Sequence, residues 1–309
     1  MKAPSLPDVR DYVPDDACLI DPVEDTHMGL SVPGVVFDYG KKSAHFRNAW
    51  HILPSLVKAL LRAMKSYRSL RNNPSSRRAQ ADSDLFTELE NRARKLGCHD
   101  IGYTKVPRDY IFKNKRILFD NAIVATMDMD QERIGKAPSI TAGKEVWRTY
   151  AKLGGIVNHL AKFLRDQGYK AAAGPAIGGE VNYSLLAQKA GLGYIGKHGM
   201  LISKRNGPSQ RIAVVYTNIE NLPYTDSNRY AWIPAFCESC GRCVAECPAG
   251  AIYADTLVFE DGSHQHIDYK KCAIPFSETV GCSICIKECT FFSSDFDRIE
   301  RQFKKSAGS

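Results

Sequence analysis

Four cysteines lie within eleven residues of the chain, in the stretch FCESCGRCVAECPAG that begins at Phe236. The members of this first cysteine run are Cys237, Cys240, Cys243 and Cys247. Their spacing is C-x2-C-x2-C-x3-C, and Pro248 follows the last of them. One such run can hold most of one metal cluster. The run therefore predicts that the C-terminal part of the chain is built around metal.

A second cysteine run follows in KKCAIPFSETVGCSICIKECTFF, and its members are Cys272, Cys282, Cys285 and Cys289. The first run has the pattern of bacterial ferredoxins, in which three thiolates bind one iron–sulfur cluster and the fourth binds the other. Pairing by that rule gives thiol set A, which is Cys237, Cys240, Cys243 and Cys289. It also gives thiol set B, which is Cys247, Cys272, Cys282 and Cys285. Both sets are complete, so the sequence predicts two 4Fe–4S clusters.

Structural zinc is the alternative reading of these cysteines, because C-x2-C pairs also build zinc ribbons. Zinc requires neither the x3-C-P ending nor a crossed fourth ligand, so clusters are favoured. The chain has ten cysteines, and eight lie between positions 237 and 289. A reducing compartment keeps thiols free, which favours metal over disulfides. The other two, Cys18 and Cys98, are predicted to be buried and inert.

The composition is that of a globular protein with a buried core. Of 309 residues, 44% are hydrophobic and 25% are charged, which allows two domains. No apolar stretch approaches the roughly 18 to 20 residues that span a bilayer. The N-terminal MKAPSLPDVRDYVPDDACLI has acids and prolines where a signal peptide has an apolar core, so we expect a cytoplasmic protein without a membrane span. Much of the net charge of +8 comes from 58–78, which predicts a solvated basic helix face, with an anionic partner as the alternative.

The chain divides into three predicted parts. Residues 1–80 form an N-terminal extension with a basic amphipathic helix, in which apolar residues from Leu53 to Met64 recur at helical spacing. Residues 81–225 alternate between helix and strand patterns, which predicts an α/β (α+β) domain with helices on a mixed sheet. Its clearest helix spans 145–167. Residues 226–309 form a small ferredoxin-like domain for the two clusters.

A glycine-rich turn stands before the last predicted strand, in AGLGYIGKHGMLIS. Dense glycines let the backbone approach a ligand closely or take positive φ, and tight packing is the alternative. This turn, the following NGPSQRIAVVYTNI and the two cysteine runs together resemble the corrinoid-dependent iron–sulfur reductases. That group contains the reductive dehalogenases and the epoxyqueuosine reductases. The resemblance covers roughly residues 84–292.

The resemblance implies a base-off cobalamin that lies against the α/β domain and receives electrons from the two clusters. The residues that match the corrinoid-facing loop of the family are Gly191, Gly193, Gly196, Lys197, His198 and Gly199. A histidine-ligated cobalamin would require D-x-H-x-x-G, and DTHMGL around His27 has leucine at the glycine position. The resemblance also implies an external low-potential electron donor of the ferredoxin or flavodoxin type.

The chain departs from both branches of the family at their substrate signatures. Epoxyqueuosine reductases carry an aspartate in a VDSAP-like segment, and Ile177 falls at that position here. Dehalogenases commonly have a YGPRVR-like stretch, and Ser209 replaces its first arginine. We expect a dehalogenase-like reductase that acts on a small organic substrate. The alternatives are epoxyqueuosine-type reduction of a tRNA and a corrinoid-free two-cluster electron carrier.

A reductase of this kind needs a proton donor near its substrate. Tyr150 stands at a position similar to that of the dehalogenase tyrosine, with a plain core tyrosine as the alternative. Glu180 and Tyr183, just before the glycine-rich turn, are the other predicted donors, with a surface role for Glu180 as the alternative. Arg211 is predicted to neutralise an anionic substrate or intermediate, with an ordinary exposed arginine as the alternative.

Overall fold

The structure, a computed structural model, describes residues 7–24, 26, 29, 32–76, 78–224, 227–259 and 263–307. His27, the histidine of DTHMGL, lies outside the described residues. Within the part of the chain that is described, no helix combines the length and the apolar character needed to cross a bilayer.

The described elements alternate between helices and short strands. The helices are α1 (Val32–Tyr39), α2 (Lys42–Ala49), α3 (Leu53–Arg68), α4 (Ser83–Leu96), α5 (Gln131–Gly135), α6 (Ile140–Asp166), α7 (Tyr183–Lys189), α8 (Ile233–Cys240), α9 (Arg242–Ala245), α10 (Tyr269–Thr279), α11 (Ile284–Lys287), α12 (Thr290–Ser293) and α13 (Phe296–Ala307). The strands are β1 (Asp100–Lys105), β2 (Asn121–Asp128), β3 (Ala171–Ala173), β4 (Tyr194–Ile195), β5 (Leu201–Ile202), β6 (Gln210–Thr217), β7 (Ile252–Val258) and β8 (His264–Ile267).

The main sheet has four strands in the order β1-β2-β6-β3. All three pairings between these strands are antiparallel. The predicted α/β (α+β) class with helices on a sheet is confirmed, but the expected mixture of parallel and antiparallel strands in that sheet is wrong. The sequence pattern of β2 and β6 is apolar on both faces because both faces are covered.

Helix α6 covers one face of the sheet and organises the core. It begins at Ile140, five residues before the predicted start, because the side chain of Ser139 accepts a hydrogen bond from the Ala142 N–H at 3.2 Å and caps the helix. Its apolar stripe packs with α4 and with alternate residues of β2 and β6, such as Ala213 and Val215. The opposite residues of β6, such as Tyr216, face a second core.

The N-terminal segment is packed against both later parts of the chain. Helix α3 lies along α6, where Asn158 Nδ2 donates to the Arg62 carbonyl at 3.0 Å. The turn before α2 contacts α10, where the Lys41 N–H donates to Ser277 Oγ at 2.8 Å. The predicted domain boundaries at 80 and 225 stay predictions, and these contacts join residues on either side of both.

Candidate functional site

The eight cysteines of the two runs come together as the two predicted thiol sets. In set A, the thiol of Cys289 interacts electrostatically with those of Cys237, Cys243 and Cys240. The same four residues line one cavity. Cys289 therefore lies with the first run, although it is 46 positions beyond Cys243 in the sequence.

Set B forms a second group of thiols beside the first. Cys285 interacts electrostatically with Cys272, Cys282 and Cys247, and also with Cys243 of set A. The last contact places the two sets next to each other. This is the arrangement that crossed ligands impose on two neighbouring clusters.

The cysteine sulfurs are surrounded by hydrogen-bond donors. The Ala251 N–H donates to Cys247 Sγ at 3.3 Å, and the Thr290 hydroxyl lies 3.2 Å from Cys240 Sγ. Backbone groups also donate to thiols in both sets, from Lys197 to Cys237 and from Ile284 to Cys282 among others. Such N–H···S contacts stabilise thiolates, so the donor set fits iron–sulfur clusters.

The spacing of these thiols also bears on the zinc alternative. Among the described residues, no three Cys, His, Asp or Glu side chains are placed to bind one metal ion together. Ligand sulfurs of a single tetrahedral zinc lie about 3.8 Å apart when each Zn–S bond is about 2.3 Å. The thiols interact within each set, and the crossed grouping of the two sets is the one that two 4Fe–4S clusters require.

Burial has a clear effect on the thiols. It raises the pKa of Cys237 and Cys272 to about 11 and that of Cys289 to about 12. Thiolates are the metal ligands, so cluster assembly must release protons from these groups. Burial likewise raises the pKa of Cys98 to about 12, and the prediction that this thiol is buried is confirmed, whereas Cys18 is exposed and the prediction that it is buried is wrong.

An aromatic shell encloses set A. Trp232 and Phe236 of the α8 region pack with Phe291, and the ring centroids of Phe236 and Phe291 lie 5.0 Å apart. Helix α13 adds Phe303, whose ring stacks on Trp232 at 5.6 Å. These rings reduce the solvent exposure of this side of the set, and burial is one of the factors that set a cluster potential.

The glycine-rich turn packs tightly on protein. A Cβ atom at Gly193 would lie 2.3 Å from the Ile202 carbonyl oxygen, and one at Gly196 would lie 2.5 Å from the Ile202 side chain. Gly199 has φ +76° and packs on His266 of β8. The lack of a side chain at these three glycines therefore lets the turn pack closely on β5 and β8. The turn does not form an open surface that could hold a corrin ring. Gly191 has a positive φ of +72° just after α7.

The two polar residues of the turn face the cysteine domain. Lys197 is buried, and its Nζ lies 2.6 Å from both Glu238 Oε2 and the Ala254 carbonyl oxygen. His198 borders the cavity of set A. The resemblance assigned both residues to a corrinoid, whereas the structure brings them to the thiols.

The four predicted catalytic residues lie in two separate places. Tyr150 of α6 and Arg211 of β6 form one pair, with the guanidinium 4.4 Å from the centre of the phenol ring. Tyr150 also packs on the buried cluster of Val146, Trp147 and Val280, against which Cys285 of set B packs as well. A cation over an aromatic ring is a stable arrangement.

Glu180 and Tyr183 lie on the opposite face of the sheet, with Tyr216 and the α3 residue Tyr67. The Tyr67 hydroxyl donates to Glu180 Oε1 at 2.7 Å, and Glu180 Oε2 has no hydrogen-bond partner. Tyr183 donates to the Pro175 carbonyl at 3.2 Å and interacts with Tyr216. The sheet therefore separates this group from Tyr150 and Arg211. Tyr67 and Tyr216 were not identified from the sequence, because no local pattern links them to Glu180.

Glu180 is a strongly perturbed carboxyl group. It is 3% exposed, and burial raises its pKa from 4.5 to about 7. Between about pH 4.5 and 7 the folded state therefore holds a proton that the unfolded chain releases. The free energy of unfolding falls as pH rises through this range.

We expect wild type to lose about 2 kcal/mol of unfolding free energy, relative to Glu180→Gln, between about pH 5.5 and 8. The measurement is denaturant unfolding of both proteins across this range. The exposed Glu132→Gln is the matched control and should follow wild type. Parallel pH profiles for wild type and Glu180→Gln would contradict an elevated pKa at this carboxyl.

Unpaired polar atoms mark the segment before and at the start of β6. The buried atoms without a hydrogen-bond partner there are Ser203 Oγ, Ser209 Oγ, Gln210 Oε1 and Arg211 Nε. Leaving such atoms unpaired costs free energy, so a water molecule or another polar group is expected to pair with them. The segment includes the NGPSQR stretch and ends beside Tyr150.

Comparison with known proteins agrees with the metal assignment. Residues 230–253 match the 4Fe–4S binding domain family, and that match includes the first cysteine run but ends before the second. The chain is 31% identical over 213 residues to a tetrachloroethene reductive dehalogenase of Desulfitobacterium hafniense, a match that covers 63% of this chain and 37% of that protein. It is 32% identical over 117 residues to an epoxyqueuosine reductase of Francisella cf. novicida (strain Fx1), covering 34% of this chain and 31% of that protein.

The fold has solved counterparts. The catabolic reductive dehalogenase NpRdhA in complex with 3-bromo-4-hydroxybenzoic acid superposes with a TM-score of 0.62 at 22% identity, covering 76% of this chain and 36% of that chain. The present chain thus spans well under half the length of these relatives. The chain is therefore similar in sequence to reductive dehalogenases and, over a shorter stretch, to epoxyqueuosine reductases, and it shares the fold of a solved reductive dehalogenase.

Proposed function

We propose that this protein is a reductive dehalogenase-like iron–sulfur reductase that acts on a small halogenated organic molecule. The observation that carries the proposal is the Tyr150–Arg211 pair, whose tyrosine packs on the same buried cluster as Cys285 of set B. A proton donor and a cation thus lie on the same side of the sheet as a hydrophobic cluster that also contacts set B. Relatives named as reductive dehalogenases support the reaction type.

The reaction replaces a carbon–halogen bond with a carbon–hydrogen bond. It consumes two electrons and one proton and releases a halide ion. We propose that sets A and B each bind a 4Fe–4S cluster, so the chain holds two one-electron carriers. A low-potential donor of the ferredoxin or flavodoxin type would reduce them.

The residues near the pair have separate roles in this scheme. The Tyr150 hydroxyl would give the proton to the carbon that loses the halogen. Arg211 would neutralise negative charge on the substrate or on the departing halide. The phenol ring is fixed by its contact with Trp147, at 6.0 Å between centroids, so the donor is held in one orientation.

We propose a base-off corrinoid as the immediate electron acceptor. One solved neighbour is described as performing B12-dependent dehalogenation, and it has a TM-score of 0.62 with this chain. The unpaired polar atoms of Ser203, Ser209 and Arg211 would hold the amide side groups of such a ring. When bound, the corrinoid would supply the reduced cobalt that cleaves the carbon–halogen bond.

Metal and corrinoid analysis of anaerobically purified protein tests the proposal. We expect about eight iron atoms per chain from two 4Fe–4S clusters, about one cobalt, and a corrin absorbance. Reduced protein should release halide from a chloroethene or a halogenated hydroxybenzoate. Protein with its full iron that binds no cobalt, even after reconstitution with cobalamin, and releases no halide would instead be a two-cluster electron carrier.

A basic surface favours epoxyqueuosine-type reduction of a tRNA as the second candidate. Between residues 39 and 81 the sequence has ten Lys or Arg residues and no Asp or Glu. Lys58, Lys65 and Arg68 are exposed on α3. Binding of tRNA should weaken steeply with salt if this surface contacts phosphates. Absent or salt-insensitive binding would remove this candidate.

A further inference from the structure

His198 has an unusual position between the α/β domain and the cysteines. Its side chain is 4% exposed and borders the cavity that Cys237, Cys240, Cys243 and Cys289 line. Set A already supplies four thiolates, so a fifth ligand is not needed there. The imidazole must have another role, and its hydrogen bonds define that role.

The tautomer of His198 follows from geometry. The Met200 N–H donates to His198 Nδ1 at 3.2 Å, so Nδ1 is an acceptor and carries no proton. A neutral imidazole with an unprotonated Nδ1 has its proton on Nε2. Nε2 is buried and has no hydrogen-bond partner in the protein. A buried N–H donor thus borders the thiol cavity without an acceptor, and leaving it unpaired would cost free energy.

The segment that carries His198 is fixed to the cysteine domain from several directions. The neighbouring Lys197 N–H donates to Cys237 Sγ, and the Lys197 side chain is paired with Glu238 of α8. The His266 ring bonds to the backbone of Lys197, and Gly199 packs against the same histidine. The imidazole is therefore held in place before any cluster binds, which is what a preorganised donor requires.

We propose that His198 is a redox-tuning residue that donates an Nε2–H···S hydrogen bond to the cluster held by set A. This inference rests on the proposed function only in requiring that set A binds a 4Fe–4S cluster. A reduced cluster carries one more negative charge than an oxidised one, so the hydrogen bond is stronger in the reduced state. Donation from His198 therefore raises the reduction potential of the set A cluster above the value it would have without this hydrogen bond.

The test compares two substitutions at this position. His198→Leu removes the donor, whereas His198→Gln keeps an N–H group of similar reach. In the Leu variant we expect the equilibrium constant for one-electron reduction of the set A cluster to fall about tenfold, which is about 59 mV toward more negative potential. The Gln variant should retain most of the wild-type value. The exposed α6 residue His159, changed to leucine, is the matched control and should leave the potential unchanged.

The readout is a redox titration followed by EPR, with iron content measured for every sample. A Cys272→Ala background, which lacks a complete set B, assigns the signal to set A. Pulsed EPR of reduced wild type labelled with ¹⁵N-histidine adds a measurement without any substitution at His198, and we expect a histidine nitrogen coupled to the cluster. Equal shifts in the Leu and Gln variants, an unchanged potential in both, or no nitrogen coupling would each overturn the inference. Failure of set A to bind iron would instead overturn the proposed function.

Discussion

Replacing Cys237 and Cys289 together by alanine is expected to leave about four iron atoms per chain, in one intact 4Fe–4S cluster. Both residues belong to set A, where their thiols interact directly. The double substitution therefore removes ligands from a single cluster. Set B keeps its four thiolates and its iron. Iron analysis and EPR of the anaerobically reconstituted variant measure the result.

A second double variant is the matched control for this experiment. Cys237→Ala combined with Cys247→Ala removes two cysteines of the same run, but one from each thiol set. We expect this variant to lose both clusters and nearly all iron. If each run bound its own cluster, the two variants would exchange behaviour, with iron retained by the control and lost from the first. That exchange would show the crossed assignment to be wrong.

The local parts of the fold were predictable because local signals determine them. Helix α4 ends at Leu96 because Gly97 adopts a φ of +103°, and the glycine at that position was visible in the sequence. The strand of RILFDNAIVATMDM appears as β2, between residues 121 and 128, since a short apolar run is typical of a buried strand. The Ser139 cap of α6 was also visible and would have corrected the predicted start.

The strand order and direction depended on contacts that no local pattern contains. Strand β6 pairs with β2 and β3, and both pairings are antiparallel. Alternating helices and strands suggested some parallel pairing, because crossover helices commonly connect parallel strands. In this sheet the connections bring the chain back antiparallel to the neighbouring strand. A buried strand has the same hydrophobic pattern whether its neighbour is parallel or antiparallel, so the pattern could not distinguish the two arrangements.

Some features of the candidate site could be predicted from local sequence spacing, whereas others depend on contacts between residues that are distant in the sequence. The thiol sets followed from spacing, because the ferredoxin rule contains the crossed geometry. The separation of Glu180 from Tyr150 could not be predicted, since Tyr67, the partner of Glu180, is 113 positions away in the sequence. The glycines of the turn were ambiguous for a physical reason. A glycine that approaches a ligand and a glycine that packs on Ile202 have the same sequence signature.

Replacing Tyr150 by phenylalanine is expected to lower turnover by about 10²- to 10⁴-fold, the contribution of a positioned general acid. The ring, its contact with Trp147 and its place under Arg211 are retained, because only the hydroxyl is removed. Iron and corrinoid content should stay at wild-type values. Steady-state halide release, with both cofactors quantified in each sample, measures the effect on the chemical step.

Two further tyrosines make this result specific. Tyr103→Phe removes a hydroxyl bonded to Glu90 on the α4 side of the sheet and should leave turnover within a few-fold of wild type. Tyr183→Phe changes a residue on the sheet face that holds Glu180. We expect this variant to change stability more than turnover, because the Tyr183 hydroxyl donates a hydrogen bond to the Pro175 carbonyl. A large loss in Tyr183→Phe with normal turnover in Tyr150→Phe would move the chemistry to the Glu180 face. Because the two groups lie on opposite faces of one sheet, a single active site can use one of them directly, and these variants decide which.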